Sequence, residues 1–130
     1  MRESQIEDYL VARVKELGGE VRKVQWVGRR SAPDRLVMLP ARPGNRVRVI
    51  DVNRYREQHQ CSLEDAKAAL MRPGAPAQTI WVEVKNPETI KTFPADERER
   101  AQHREHERMR KLGQRVEVIG TIEQVDELLK

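Results

Sequence analysis

Seven residues past the middle of the chain, Thr79-Ile80-Trp81-Val82-Glu83-Val84-Lys85, restrict the fold more than any other stretch. Apolar and β-branched side chains dominate it, which predicts a short buried strand. Successive strand side chains point to opposite faces. Ile80, Val82 and Val84 therefore share a core face, and Trp81, Glu83 and Lys85 share the other. A strand that carries an acid and a base opposite its core side must satisfy both charges. Either they meet water and each other, or they do chemistry.

Upstream, Ala32-Pro33-Asp34 leads into Arg35-Leu36-Val37-Met38-Leu39, which reads as a second strand. Pro33 fixes its own φ and pushes Ala32 to extended geometry. If the two strands pair, their backbones lie about 4.8 Å apart. Asp34 and Glu83 could then reach one divalent ion at the Mg²⁺–oxygen distance of about 2.0–2.1 Å. Lys85 would stand beside that ion, orienting a water or meeting phosphate charge.

The remaining chain supplies elements around this pair. Ser4 to Leu17 reads as a helix, with Ile6, Leu10, Val14 and Leu17 at helical spacing. Ser4 and Glu7 form a capping-box pattern, and Gly18-Gly19 stops the helix. Glu20–Val27 reads as a strand, followed by an arginine-bearing loop, Gly28-Arg29-Arg30-Ser31. Between Pro40 and Gln78, Arg46–Val52 reads as a strand and Asn53–Gln60 as a short helix. Ser62 with Asp65 caps a further helix through Met71. Residues 41–77 thus read as a helical insertion between the two active-site strands.

After Lys85, Asn86-Pro87 ends the strand, and Lys91 and Thr92 fall in a polar loop. A long helix from Pro94 or Ala95 to Leu112 places Gln102, His106 and Met109 on one face, with Leu112 on the same stripe, and Gly113 stops it. Arg115–Ile119 is a strand. Thr121, with Gln124, caps a last helix through Leu129. The order α-β-β-insert-β-α-β-α predicts an α/β fold, a mixed β-sheet flanked by helices.

Pro33-Asp34 followed by Glu83-Val84-Lys85 on a strand resembles the PD-(D/E)xK nucleases. The likeness is closer to their VRR-NUC (virus-type replication-repair nuclease) branch. It is carried by Gly28 to Leu36, by Val82 to Lys85, by Gln102 with His106, Met109, Leu112 and Gly113, and by Glu7. It covers most of the chain except about residues 41–77. The resemblance implies a restriction-endonuclease-like core and a metal-dependent endodeoxyribonuclease that leaves 5′-phosphate and 3′-hydroxyl ends. It implies Mg²⁺ or Mn²⁺ held by Asp34, Glu83 and the main-chain carbonyl of Val84. Lys85, Gln102 and Glu7 would complete the catalytic set.

Minimal members of the family act on branched DNA such as four-way junctions and are commonly homodimers, in phage or bacterial replication and repair. Arg29, Arg30, Arg35 and Lys91 are the candidate DNA contacts. Each residue also has a plainer reading. Glu7 caps its own helix, the arginines form a solvated basic loop, Gln102 is a surface residue, and His106 is a packing residue rather than a proton shuttle. A catalytically inactive DNA-binding or assembly module on the same fold is the alternative function. An RNA-processing nuclease is a third. Where the family usually has glycine, this chain has Ser31; a serine there is strained only if its φ is positive.

Composition sets outer limits. A chain of 130 residues predicts one domain with a modest core. A net charge of +4 is compatible with a polyanionic partner without requiring one. Cys61 is the only cysteine, which excludes an intrachain disulfide and, with three scattered histidines, argues against structural zinc. No signal peptide is evident, and no apolar run approaches the about 20 residues that span a bilayer. The expectation is a cytoplasmic protein with no membrane partner.

Overall fold

Four short strands carry the fold. The computed structural model describes residues 1–130. Its strands are β1 (Glu20–Lys23), β2 (Arg35–Leu39), β3 (Gln78–Val84) and β4 (Val116–Ile119). They lie side by side in the order β1-β2-β3-β4. β1 pairs antiparallel with β2, and β2 antiparallel with β3. β3 pairs parallel with β4, so the sheet is mixed, as the element order predicts.

The helices are α1 (Glu3–Glu16), α2 (Val49–His59), α3 (Leu63–Leu70), α4 (Pro87–Ile90), α5 (Glu97–Lys111) and α6 (Ile122–Leu128). None is long and apolar enough to cross a membrane. The contacts divide the chain into two compact units. Met1–Pro40 with Gln78–Lys130 forms one, and Ala41–Ala77 the other.

In the larger unit the alternation of β3 sets the core. Ile80, Val82 and Val84 pack with Val37 of β2 and Ile119 of β4. Ile6, Leu10 and Val14 of α1 and Val125 and Leu128 of α6 join the same cluster. Each such side chain contributes about 1.5–3 kcal/mol on full burial. Tyr9 of α1 donates its hydroxyl to Asp126 of α6 at 2.7 Å, and that acceptor raises the phenol's pKa above its ordinary value.

In the smaller unit, Arg42 and Ala75 exchange backbone hydrogen bonds at 2.8 Å. Asn45 ties the same region together, donating to the Leu70 carbonyl at 2.7 Å and accepting from the Arg72 amide. α2 and α3 pack on one another and bury Val52 and Ala66. Ser62 caps α3 by accepting from the Asp65 amide at 3.0 Å, as its capping pattern predicts.

Several local expectations are corrected. The strand expected at Arg46–Val52 is absent, and α2 begins at Val49. The alternation of Arg46, Val47, Arg48 and Val49 imitates a strand. Asp51 in the first helical turn instead accepts two hydrogen bonds from Arg48, and Val52 is the residue α2 buries. The N-cap of α1 is Arg2, whose amide donates to Gln5, so Ser4 and Glu7 form no capping box. β1 ends at Lys23, short of the expected Val27. The loop expected after Asn86 contains α4, with Asn86 accepting from the Glu88 and Thr89 amides. Leu112 is exposed at the end of α5 rather than on its buried stripe.

The α1–β1 turn packs closely against β2. Gly18 closes α1 with φ +81°, a left-handed conformation that costs glycine little. A Cβ on Gly19 would stand 2.3 Å from the Met38 carbonyl oxygen of β2, with no flexible group able to yield. Gly19→Ala is expected to lower stability by about 1–3 kcal/mol through this overpacking. The measurement is a lower urea midpoint at unchanged slope. Gly28→Ala, where φ is +77° but nothing lies within 4 Å of the added Cβ, is expected to lose less. A wild-type midpoint for Gly19→Ala would contradict the close approach.

Candidate active site

Strand register brings the two motif acids to one place. β2 and β3 pair Arg35 with Val82 and Leu36 with Trp81, so one further step sets Asp34 opposite Glu83. Asp34 is fixed from both sides. The Val24 amide donates to its carbonyl at 2.8 Å, continuing the β1–β2 ladder. Pro33 is fully buried, and its carbonyl accepts the Trp26 indole N–H at 2.7 Å. Trp26 in turn lies against Trp81 of β3, with ring centroids 5.0 Å apart. A sequence-distant aromatic pair therefore sets the geometry of the Pro-Asp turn.

Lys85 follows β3 directly, with its amide bonded to the Ile119 carbonyl of β4 at 2.7 Å. Its side chain is buried, and an unpartnered buried ammonium is costly. Gln102 of α5 accepts from Lys85 Nζ at 2.8 Å. Glu99 stands 3.5 Å away as the counter-charge. Phe93 presents its ring 5.2 Å from the ammonium, within cation–π range. Glu99 has a second duty, accepting the Ala95 amide at 2.9 Å, while Asp96 accepts the Glu99 amide at 2.8 Å. The carboxylate that neutralises Lys85 thus also fixes the first turn of α5.

Glu83 is nearly buried, yet no protein group donates a hydrogen bond to it. His106 Nε2 lies 3.7 Å from Glu83 Oε1. His106 is fully buried with both ring nitrogens unpartnered, and it stacks on Phe93 at 6.1 Å between centroids. Gln102, His106 and Met109 form one buried stripe on α5. The plainer reading of Gln102 as a surface residue is therefore wrong.

Glu7 and Arg35 change roles. Arg35 donates through Nε to Glu7 Oε1 at 2.7 Å and also contacts that oxygen through a terminal nitrogen. Its other terminal nitrogen lies 3.1 Å from Asp34 Oδ2. Arg35, only 13% exposed, thus bridges α1 to the motif aspartate instead of facing solvent as a phosphate contact. Glu7 is neither a cap nor free; it anchors this bridge.

Two adjoining hollows share Asp34, Glu83, Arg98 and Gln102 in their walls. One, of about 360 Å³, adds Glu7, Arg35, Val84, Lys85 and Glu99. Six carboxylates and three cations line it in all, so it is acidic. The other, of about 540 Å³, adds Lys23, Arg29 and Arg30, with four cations against two carboxylates, and is basic. Arg30 is free of carboxylates. Arg29 shares the buried carboxylate of Glu105 with Arg108, and those two guanidiniums, Arg108 first, hold Glu105 below its ordinary pKa. Lys91 lines neither hollow; it is exposed and lies 3.6 Å from Glu88. Ser31 has no positive φ, which removes the strain that a serine in place of glycine would carry.

No group of three or more Asp, Glu, His or Cys side chains is gathered closely enough to hold a metal unaided. Asp34, Glu83, whose carboxylate accepts no protein hydrogen bond, and Val84 all line the acidic hollow. Mg²⁺ keeps several waters and takes one or two carboxylates, so this set fits a hard divalent cation better than zinc.

Sequence reading missed Arg98, Glu99, Glu105 and Trp26. Arg98 and Glu99 lie one turn before Gln102, and extending its helical stripe backwards would have found them. Nothing local in sequence announces Glu105 or Trp26, because their partners lie on other elements.

No family model matches the chain, and no curated protein matches it. A solved structure described as a VRR_NUC domain is similar to it, with a TM-score of 0.57 and 31% identical residues. That match covers 98% of this chain and 92% of the other. Likeness at this identity over nearly the full length of both, with Pro33-Asp34 and Glu83-Val84-Lys85 meeting across paired strands, shows that the chain belongs to the VRR-NUC nuclease family.

Proposed function

We propose that the protein is a metal-dependent, structure-selective DNA endonuclease that hydrolyses phosphodiester bonds in branched DNA, such as four-way junctions, as a homodimer. One observation supports this reading above the rest. Asp34, Glu83, Lys85 and Gln102 line a single hollow, although they come from β2's approach, β3 and α5. The residues 1–130 act as one nuclease domain bearing an insertion at about 41–77.

Asp34, Glu83 and the Val84 carbonyl would hold Mg²⁺ or Mn²⁺, which would supply polarisation of a phosphate and acidification of a bound water. Lys85, fixed by Gln102 and Glu99, aims its remaining N–H at the developing negative charge. Gln102 accepts from Lys85 through Oε1, which leaves its amide N–H₂ free to donate into the hollow. Arg35 and Glu7 position Asp34. Arg98 and Arg30, exposed and without carboxylate partners, take phosphate oxygens, and Arg29 does so from its anchor on Glu105. The basic hollow receives the DNA strand, and the acidic hollow receives the cation.

Two variants test the chemistry. Lys85→Ala, and Lys85→Met as the variant that keeps the packing, are expected to cut a four-way junction with Mg²⁺ at least about a hundredfold more slowly while retaining the junction in a gel shift. Undiminished cleavage by either pure variant would remove Lys85 from the mechanism. Asp34→Asn is expected to abolish the Mn²⁺ binding isotherm measured by calorimetry. An unchanged isotherm would refute the site irrespective of activity. Digestion of matched DNA and RNA junctions, forks, flaps and linear duplexes separates this reading from an RNA-processing nuclease. Retention of DNA with no cleavage under any divalent ion would favour the inactive module.

A further inference from the structure

The chain's basic excess is not spread over it. Residues 41–77 carry seven basic and four acidic side chains, a net +3 of the whole chain's +4. The larger unit, nuclease hollows included, carries only +1. Of the seven basic groups only Arg48 has a carboxylate partner, Asp51. None of the others forms an ion pair, and an excess of like charge lowers the unit's own stability unless a polyanion offsets it.

These charges frame a groove. Asn45, Arg46, Asp51, Arg54, Tyr55 and Gln58 line a hollow of about 310 Å³. Arg46 and Arg54 are exposed and unpaired. The one acid present, Asp51, is taken up by two hydrogen bonds from Arg48, which hold it below the usual carboxylate range. Tyr55 is held in place by stacking on His59, with centroids 4.1 Å apart. Its hydroxyl and the Gln58 amide add neutral donors. Two guanidiniums and neutral donors lining one hollow are the groups that take phosphate oxygens of a nucleic-acid strand.

We infer that residues 41–77 form an auxiliary DNA-binding unit whose Arg46–Arg54 groove grips the sugar-phosphate backbone independently of the nuclease hollows. The inference rests on the reading above only in taking DNA as the polyanion. Both ends of the unit run directly into β2 and β3, so DNA held by either unit stays at high effective concentration for the other.

The test is salt-dependent binding of the full-length chain to a fluorescein-labelled four-way junction, by anisotropy in EDTA, where cleavage is off. Two phosphate contacts account for about 1.8 of the slope of log affinity against log salt. Arg46→Ala/Arg54→Ala is expected to lose that much slope and to weaken binding about tenfold or more at 0.1 M KCl. Arg46→Lys/Arg54→Lys is expected to keep the wild-type slope. Lys67→Ala, which removes a charge from the same unit outside the groove, is expected to change the slope far less than Arg46→Ala. Unchanged urea midpoints show that the variants are folded.

Wild-type affinity and slope in the double alanine variant would overturn the groove. So would equal losses in the lysine variant, or a Lys67→Ala effect as large as that of Arg46→Ala. A wild-type chain that binds with this salt dependence, yet never cleaves with Mg²⁺ or Mn²⁺, would sink the nuclease reading and leave the groove standing.

Discussion

A buried ammonium governs the larger unit. On the face of β3 opposite the core, Glu83 and Lys85 are buried against α5, whose His106 and Gln102 reach them. Lys85 leaves that strand at 7% exposure and cannot retreat to solvent. Burying an ion costs several kcal/mol unless its charge and hydrogen bonds are met, and removing one partner of a buried pair costs about 3–5 kcal/mol. Glu99, Gln102 and Phe93 meet them, all from α5 and the segment before it. The placement of α5 is therefore tied to the charge of one lysine. Since Glu99 also accepts the Ala95 amide, the helix starts where the lysine needs its counter-ion.

This dependence explains what could be read from the sequence. Apolar, β-branched composition identified β3 to within a residue, the apolar run after Pro33-Asp34 identified β2 with its observed limits, and period-two alternation assigned the β3 core face correctly. The motif residues fell on one hollow because strand register is a local rule applied twice. Ser62 and Thr121 were recognisable as caps because the cap lies three residues from its donor. Ser4 failed as a cap because Arg2 and Gln5 offered a competing start two residues earlier. The Arg46–Val52 segment failed because alternating arginine and valine satisfy a strand period and an exposed helix equally. The decisive difference, burial of Val52 alone, is a tertiary fact.

The roles of individual site residues were harder to read, for the same reason. Arg35, Glu7 and Asp34 form a chain of charges between residues 28 positions apart. Arg29 and Glu105 meet across 76 positions. A basic loop next to an acidic motif reads as a phosphate contact until the carboxylates that consume its charge are located. Two of the expected DNA contacts are engaged in this way, Arg35 fully and Arg29 in part. Arg98, absent from the motif, is left without a partner.

The charges of the two hollows differ in sign. Asp34 and Glu83 stand where an acidic and a basic hollow meet, and Arg98 and Gln102 stand with them. A phosphate approaching from the acidic side meets six carboxylates, and one approaching from the basic side meets four cations. At a few ångströms in a partly desolvated cleft, unit charges interact by about 4 kcal/mol per pair at an effective dielectric near 20. Such fields would favour a phosphate on the basic side of Asp34 and Glu83 and a cation on the acidic side. The two fields meet at Asp34 and Glu83, so the strand register that sets these acids opposite one another also places them at the boundary between the acidic and the basic hollow.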